Sequence, residues 1–405
     1  MKHTEVAAAI IRKEDKMIYK RKMSIKRFLL IVFALLMTSH IQAQNILEGV
    51  VRDEESGEVL PFAHIYCQDR LATMSNSQGE FALVAKPSDV IRVTFLGHKS
   101  ISVVARELPK VVMLKTSVQY LPEVVVLPAS NLIKDVTRKT ANALKKWRDE
   151  RSIFFFRQST FVDDTQRNMM EAFFDARCAL TASNFKLFTG RIAEGGDVFY
   201  AADLYKVSQI WLLKKDKNKP SYIKTIVPLD LHFDDYYETS LRKMEYDGQA
   251  LYEIHFSSNN KAPFEKIVTG TLYVDAEQLL PVKMQGKIKN LTIVHYSVEG
   301  SLFGEELPLN ISFDVSFSIE RNFPEVMSVI INSKYKDKNH DYRFLSLLYN
   351  MGCKNLDTQM KSYYITDLRK QIKKRGFNKD FWNRHETLKR TDLEKTLNDL
   401  QAEEN

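Results

Sequence analysis

From Leu307 to Ile319 the chain alternates without a break. Leu307, Leu309, Ile311, Phe313, Val315, Phe317 and Ile319 are apolar, and Pro308, Asn310, Ser312, Asp314, Ser316, Ser318 and Glu320 stand between and after them. Successive side chains of a strand point to opposite faces, so a period of two predicts a long strand with one buried and one wet face. Residues 267–275, 280–288 and 291–298 continue the style, joined by short turns at Asp275-Ala-Glu-Gln278 and Lys289-Asn290, and 325–335 adds another strand. Together they predict an antiparallel, meandering, strongly curved sheet. Ser130 and Asn131 are placed to cap a helix from Leu132 to about Glu150. Its Leu132, Ile133, Val136, Thr140, Leu144 and Trp147 share one face at helical spacing, and this face is expected against the sheet.

The chain has 405 residues, enough for two or three domains. It is 44% hydrophobic and 27% charged, with 14 Gly and 11 Pro, which excludes wholesale disorder, collagen-like repeats and a disulfide-stapled miniprotein. The net charge of +8 is unevenly placed. Residues 1–43 hold nine basic and three acidic side chains, a net of +6, leaving fifty basic and forty-eight acidic groups, +2, for residues 44–405. Nucleic-acid binding needs a cationic surface to displace condensed counterions, so no nucleic-acid partner is expected.

The basic leader reads instead as a secretory signal. Lys20, Arg21, Lys22, Lys26 and Arg27 precede the apolar run Phe28–Met37, and the expected cleavage follows Ala43. Ten apolar residues make about 15 Å of helix, half a hydrocarbon core, so this is no membrane anchor. Met1, Met17 and Met23 all remain open as the true start. No cysteine follows the run within reach of cleavage, so no lipid anchor is indicated. No later stretch approaches the roughly 18 apolar residues of a spanning helix, and no transmembrane helix is expected once the signal is removed. Cys67, Cys178 and Cys353 have no metal-ligand spacing and read as small buried hydrophobes.

Residues 46–115 alternate short apolar runs with turn chemistry every eight to twelve residues, the pattern of a small sandwich. Leu47-Glu-Gly49-Val-Val-Arg-Asp53, Gly57-Glu-Val-Leu-Pro61-Phe-Ala63-His-Ile65, Thr73-Met-Ser-Asn76-Ser-Gln-Gly79-Glu-Phe81 and Phe95-Leu-Gly97-His-Lys99 resemble the carboxypeptidase-like regulatory domain. The resemblance implies a transthyretin-like β-sandwich of about seven strands, used as a folding aid or interaction module and not for catalysis. Gly57 and Gly79 fit positive-φ turn positions. His98 departs from the family, which favours an aromatic such as Tyr there. The metallocarboxypeptidase chemistry of the family's namesake needs paired zinc ligands, and neither H-x-x-E nor H-E-x-x-H occurs; His295 and Glu299 are four apart and His385-Glu386 adjacent. In cell envelopes this sandwich often precedes a TonB-dependent transporter, and Tyr120-Leu-Pro-Glu-Val-Val-Val126 is similar to the segment that follows it there. A 22-stranded barrel with its plug needs several hundred residues more, so transport is excluded and the segment is expected to be a short strand or extended linker.

The tail from Leu356 is charge-dense. Arg369-Lys-Gln-Ile-Lys-Lys-Arg375 should end a helix at Gly376, with cations near the negative end of its dipole; it reads as a solvated helix end or as a patch for anionic lipid head groups. The segment 377–382 is expected to pack back on the sheet, and Thr391-Asp-Leu-Glu394 has capping-box spacing. A helical tail also argues against an outer-membrane barrel, whose strands should continue to the end. The densest polar cluster is His232-Phe-Asp234-Asp235-Tyr-Tyr-Glu238, which could hold a cation or do acid–base work, although adjacent carboxylates on an extended segment point to opposite faces. Gly195-Gly196 lacks the Lys and Ser/Thr of a phosphate loop, and no Gly-x-Ser-x-Gly elbow occurs.

The resulting expectation is a mainly β chain: signal peptide 1–43, regulatory sandwich 44–116, linker 117–130, β-rich domain with leading helix 131–350, and helical charged tail 351–405. It is expected to be a non-enzymatic, exported protein of the periplasm or outer-membrane surface, with no catalytic or metal residues and no cofactor. It should bind an envelope protein or glycan partner, and peripheral association with the outer membrane is left open. The alternatives are a periplasmic carrier or chaperone holding a hydrophobic ligand on the apolar sheet face, and a hydrolase with a site between His232 and Glu238.

Overall fold

The computed structural model describes residues 46–120, 129–147, 149–178, 185–194, 229, 233, 237–259, 267–295, 305–352, 361–365, 367–375, 381–382, 388–392 and 394–395. The expected leader, residues 123–126, Cys353 and Gly376 lie outside them.

Seven strands build the first module: β1 (Ile46–Asp53), β2 (His64–Cys67), β3 (Arg70–Met74), β4 (Glu80–Val84), β5 (Val90–Thr94), β6 (Ile101–Val104) and β7 (Val111–Leu114). They form two sheets, β4-β1-β7 and β3-β2-β5-β6, in which β1 and β7 run parallel. Alternate side chains turn inward, so Val51, Ile65, Phe81, Ile91, Val93, Val112 and Leu114 are wholly buried between them. Gly57 and Gly79 take φ of +71° and +75°, as the turns require. At Gly79 a Cβ would also sit 2.8 Å from the Val51 carbonyl oxygen.

Among the described residues, the second module is one twelve-stranded sheet. It comprises β8 (Val118–Tyr120), β9 (Arg151–Val162), β10 (Thr165–Arg177), β11 (Lys186–Glu194), β12 (Tyr237–Tyr246), β13 (Gln249–Ser258), β14 (Ile267–Asp275), β15 (Pro281–His295), β16 (Glu305–Ser318), β17 (Glu325–Lys336), β18 (Asp341–Gly352) and β19 (Tyr363–Tyr364). The order is β19-β11-β10-β9-β18-β17-β16-β15-β14-β13-β12-β8, with every neighbouring pair antiparallel. Helix α1 (Ala129–Trp147) precedes β9, and helix α2 (Leu368–Arg375) follows β19. Apart from Ile46 and Val84–Lys86, the described residues belong to one compact unit.

The alternation seen in the sequence sets the phase of β16. Leu309, Ile311, Phe313, Val315 and Phe317 all enter one core, with Ala129, Ile133 and Val136 of α1 and Leu368 and Ile372 of α2. The apolar face is therefore filled by the chain's own side chains.

Four details differ from the sequence expectation. Helix α1 begins at Ala129, which is wholly buried, so Ser130 and Asn131 lie in its first turn and not at its N-cap position. It ends at Trp147, and Asp149-Glu150 forms the turn into β9. Lys289-Asn290 is no hairpin: β15 runs on to His295 with a register shift between Ile288 and Leu291, because the long partner β16 pairs with both halves. The sheet also lacks a uniformly wet face. Residues Ser152–Thr160 of β9 are buried without interruption, since the outer side of β9, β10 and β18 carries a second cluster of Ile153, Phe155, Phe173, Leu347 and Tyr349. Leu71 and Met74 from β3, and Phe381, Trp382 and Leu388 from the tail, close over it.

Candidate functional site

Between the sandwich and the outer side of the large sheet lies a cleft of about 400 Å³. Register builds its floor. Lys283 on β15 is opposite Ser316 on β16, and Ser316 is opposite Ser328 on β17; the next row is Gln285, Asp314 and Ile330. These positions are the polar phase of β16 and its neighbours, one residue out of step with the apolar core. The sandwich supplies the roof through Phe62, His64, Tyr66, Phe95 and Leu96.

Direct bonds fix roof to floor. His64 Nε2 lies 2.9 Å from Ser328 Oγ, and the Tyr246 hydroxyl donates to the Phe95 carbonyl at 3.1 Å. Leu96 packs with Val118, Tyr246 and Val282 around Met244, Leu251 and Tyr273, so the seam is apolar at both ends. Phe62 has φ +64°, a region that strains a bulky side chain. Its amide donates to the Ser75 carbonyl at 3.1 Å, while the Ser75 hydroxyl accepts from the Ala63 amide and donates to the Leu60 carbonyl, each at 2.8 Å.

The cleft's charges are internally matched. Lys283 Nζ is 2.8 Å from Asp314 Oδ2 and 5.7 Å from the Phe95 ring centre. Burial, helped by the charge of Lys283, lowers the His64 pKa to about 4. Burial raises the Tyr66 and Tyr246 hydroxyls to about 12. Beside the cleft, Tyr273 donates to Glu253 Oε1 at 3.2 Å, Arg242 and His255 each lie 3.3 Å from Glu253 Oε2, and His255 Nδ1 is 3.0 Å from Thr271 Oγ1. Sequence reading missed this polar stripe. Its only signal was Glu253 and His255 two apart on a strand, which puts both on one face.

Of the cluster expected at 232–238, Phe233 and Tyr237 are buried and stack at 4.5 Å between ring centres. Glu238 is exposed on β12 opposite Ser257. His232, Asp234 and Asp235 lie outside the described residues. No group of three or more His, Cys, Asp or Glu is arranged to hold a metal ion among the described residues. Cys178 is buried beside Leu144 and Phe323. Cys67 is half-buried with Sγ 3.7 Å from Asp89, and burial raises its thiol to about 11.

A second polar feature fastens the tail. Glu171 is fully buried, with Arg157 at 2.6 Å, Arg390 at 3.5 Å, and Arg191 in direct contact. Glu394 accepts from Arg157 at 3.3 Å and from Ser159 at 3.0 Å, and Arg157 also donates to the Leu388 carbonyl at 2.9 Å. Burial alone would raise the Glu171 carboxyl, but Arg157 and Arg191 outweigh it and hold the carboxyl below its ordinary value. The expected capping box is present: the Thr391 amide donates to Glu394 Oε2 at 2.9 Å and the Glu394 amide to Thr391 Oγ1 at 3.3 Å.

Residues 47–126 match the family model of the CarboxypepD_reg-like domain, so the first module is a carboxypeptidase-like regulatory domain as its motifs implied. The match leaves the large sheet unassigned. No curated protein matches the chain. Among solved structures, a LolA superfamily protein of Nitrosomonas europaea is 12% identical, covers 56% of this chain and 94% of its own, and has a TM-score of 0.23. MucB in complex with MucA(peri) is 8% identical over 53% and 92%, with a TM-score of 0.17. The MucA/MucB complex of Pseudomonas aeruginosa is 9% identical over 53% and 93%, with a TM-score of 0.16. Likenesses this weak carry no argument about this chain. No described helix is long and apolar enough to cross a membrane.

Proposed function

We propose that this chain is an exported, non-catalytic envelope protein that binds a compact ligand in the cleft between its regulatory sandwich and its large sheet. The observation that carries this reading is the cleft itself. It is a cavity of about 400 Å³, roofed by Phe62, Tyr66 and Phe95 and floored by Ser312, Asp314 and Ser316. That volume falls in the usual range for small-molecule sites, and apolar walls with a few fixed polar groups are their usual make-up. A ligand with a ring face and hydrogen-bonding edges suits it.

The chemistry of the lining supports binding over acid–base catalysis. A general base works best with a pKa near the working pH. His64 is held near 4 and Tyr66 and Tyr246 near 12, so none of the three is poised there. The carrier reading finds less support, because the apolar sheet face is occupied by α1, α2 and the sheet's own side chains.

A fluorescence titration with 1-anilinonaphthalene-8-sulfonate, an aromatic anion small enough for the cleft, tests the site. Saturable binding at one dye per chain is expected. Ser316→Trp, which places an indole in the cleft, should weaken it at least ten-fold while the far-ultraviolet dichroism stays unchanged. Equal dye binding by the parent and by a folded Ser316→Trp chain would contradict the assignment.

A further inference from the structure

We infer that β19 and α2 together form a docking surface for an anionic lipid bilayer, separate from the cleft. Residues 361–375 hold six cations (Lys361, Arg369, Lys370, Lys373, Lys374 and Arg375) and a single acid, Asp367. Their net charge of +5 exceeds the +2 of residues 44–405 taken together, so the rest of that span is net negative. The concentration is local, and it is displayed.

The packing of α2 explains the display. Leu368 and Ile372 are 0% and 4% exposed and enter the core. Ile372 reaches so far because residue 190 on β11 is glycine; a Cβ there would lie 2.6 Å from Ile372 Cδ1. The Gln371 side chain donates to the Tyr364 carbonyl at 2.9 Å and ties the helix to β19. With that stripe fixed inward, Lys370, Lys373, Lys374 and Arg375 are turned outward and exposed. The one acid is engaged at the helix start, where Asp367 Oδ1 accepts from the Lys370 amide at 3.0 Å.

Two tyrosines distinguish the surface from a merely solvated helix end. Tyr363 and Tyr364 are 45% and 64% exposed. Arg375 stands 3.7 Å over the Tyr363 ring and Lys186 4.9 Å over the Tyr364 ring. Exposed amphipathic rings beside cations match the head-group zone of a bilayer, where tyrosine lies with its ring at the interface and lysine meets lipid phosphate.

Vesicle co-sedimentation of the full chain tests this. Phosphatidylglycerol–phosphatidylethanolamine vesicles should bind it, and added salt should weaken the binding. The charge-reversed variant Lys370→Glu/Lys373→Glu/Lys374→Glu should bind about ten-fold more weakly or worse. Tyr363→Ser/Tyr364→Ser should bind more weakly than the parent on the same vesicles. The basic leader is common to all these chains, so the difference between them reads the patch alone. These side chains are exposed, so thermal unfolding midpoints should stay close to the parent's. Sedimentation of the charge-reversed chain equal to the parent's, indifference to salt, or displacement of the vesicles by a short single-stranded RNA would overturn the proposal.

Discussion

His64 stands on β2 with Nε2 2.9 Å from Ser328 Oγ, and its pKa falls to about 4 because burial and the nearby Lys283 both oppose a second positive charge. The sign of its pH effect follows. The unfolded chain takes up this proton near pH 6.5 and the folded chain only near 4, so stability is intact above 6.5 and is lost as pH falls between those values. Denaturant unfolding at pH 7 and pH 5 should therefore show an acid loss of about 1–2 kcal/mol in the parent that His64→Gln removes. Glu171 makes the opposite case, an ion at zero exposure that must stay charged to balance Arg157, Arg191 and Arg390. Glu171→Gln should cost about 3–5 kcal/mol in denaturant unfolding, because it leaves three largely buried guanidinium groups without their shared counter-charge. This network left a trace in the sequence. Arg157 directly follows Phe154-Phe-Phe156, and Glu171 sits between Met170 and Ala172-Phe-Phe174, and a charge inside an apolar strand calls for a buried partner. The partners Arg390 and Glu394 come from the far end of the chain, and no local pattern points to them.

Among the elements, the strand phases were the most legible feature, because period two assigns a face to every residue once one is known. The prediction for 267–275 coincides with β14, and that for 325–335 falls one residue short of β17. Lys289-Asn290 misled because turn chemistry also suits a bulge, and only the partner strand decides between them. The pairing of Gly270 with Gly286 across β14 and β15 was likewise silent in sequence. Phe313 and Phe256 lie over these glycines, and a Cβ on Gly286 would sit 2.3 Å from the Thr269 carbonyl oxygen and 2.7 Å from Phe313 Cζ. Gly286→Ala should therefore destabilise the protein by about 1–3 kcal/mol through overpacking, measured as a shift in the denaturant midpoint. Among the described residues beyond β18, Tyr363–Tyr364 forms an edge strand ahead of α2.

In the whole molecule, two modules that read separately in sequence share one outer-face core: Leu71 and Met74 of the sandwich pack with Phe155, Phe173 and Trp382. The cleft lies beside that contact. It stayed hidden because Ser312, Asp314 and Ser316 read as a solvent-facing phase until a second module is set over them. Native mass spectrometry of the purified chain tests the resulting account most directly. It predicts one non-covalent small-molecule adduct per chain, absent from Ser316→Trp prepared in the same way. A parent that carries no adduct even at the gentlest activation, or an adduct that persists at full occupancy in the variant, would contradict it.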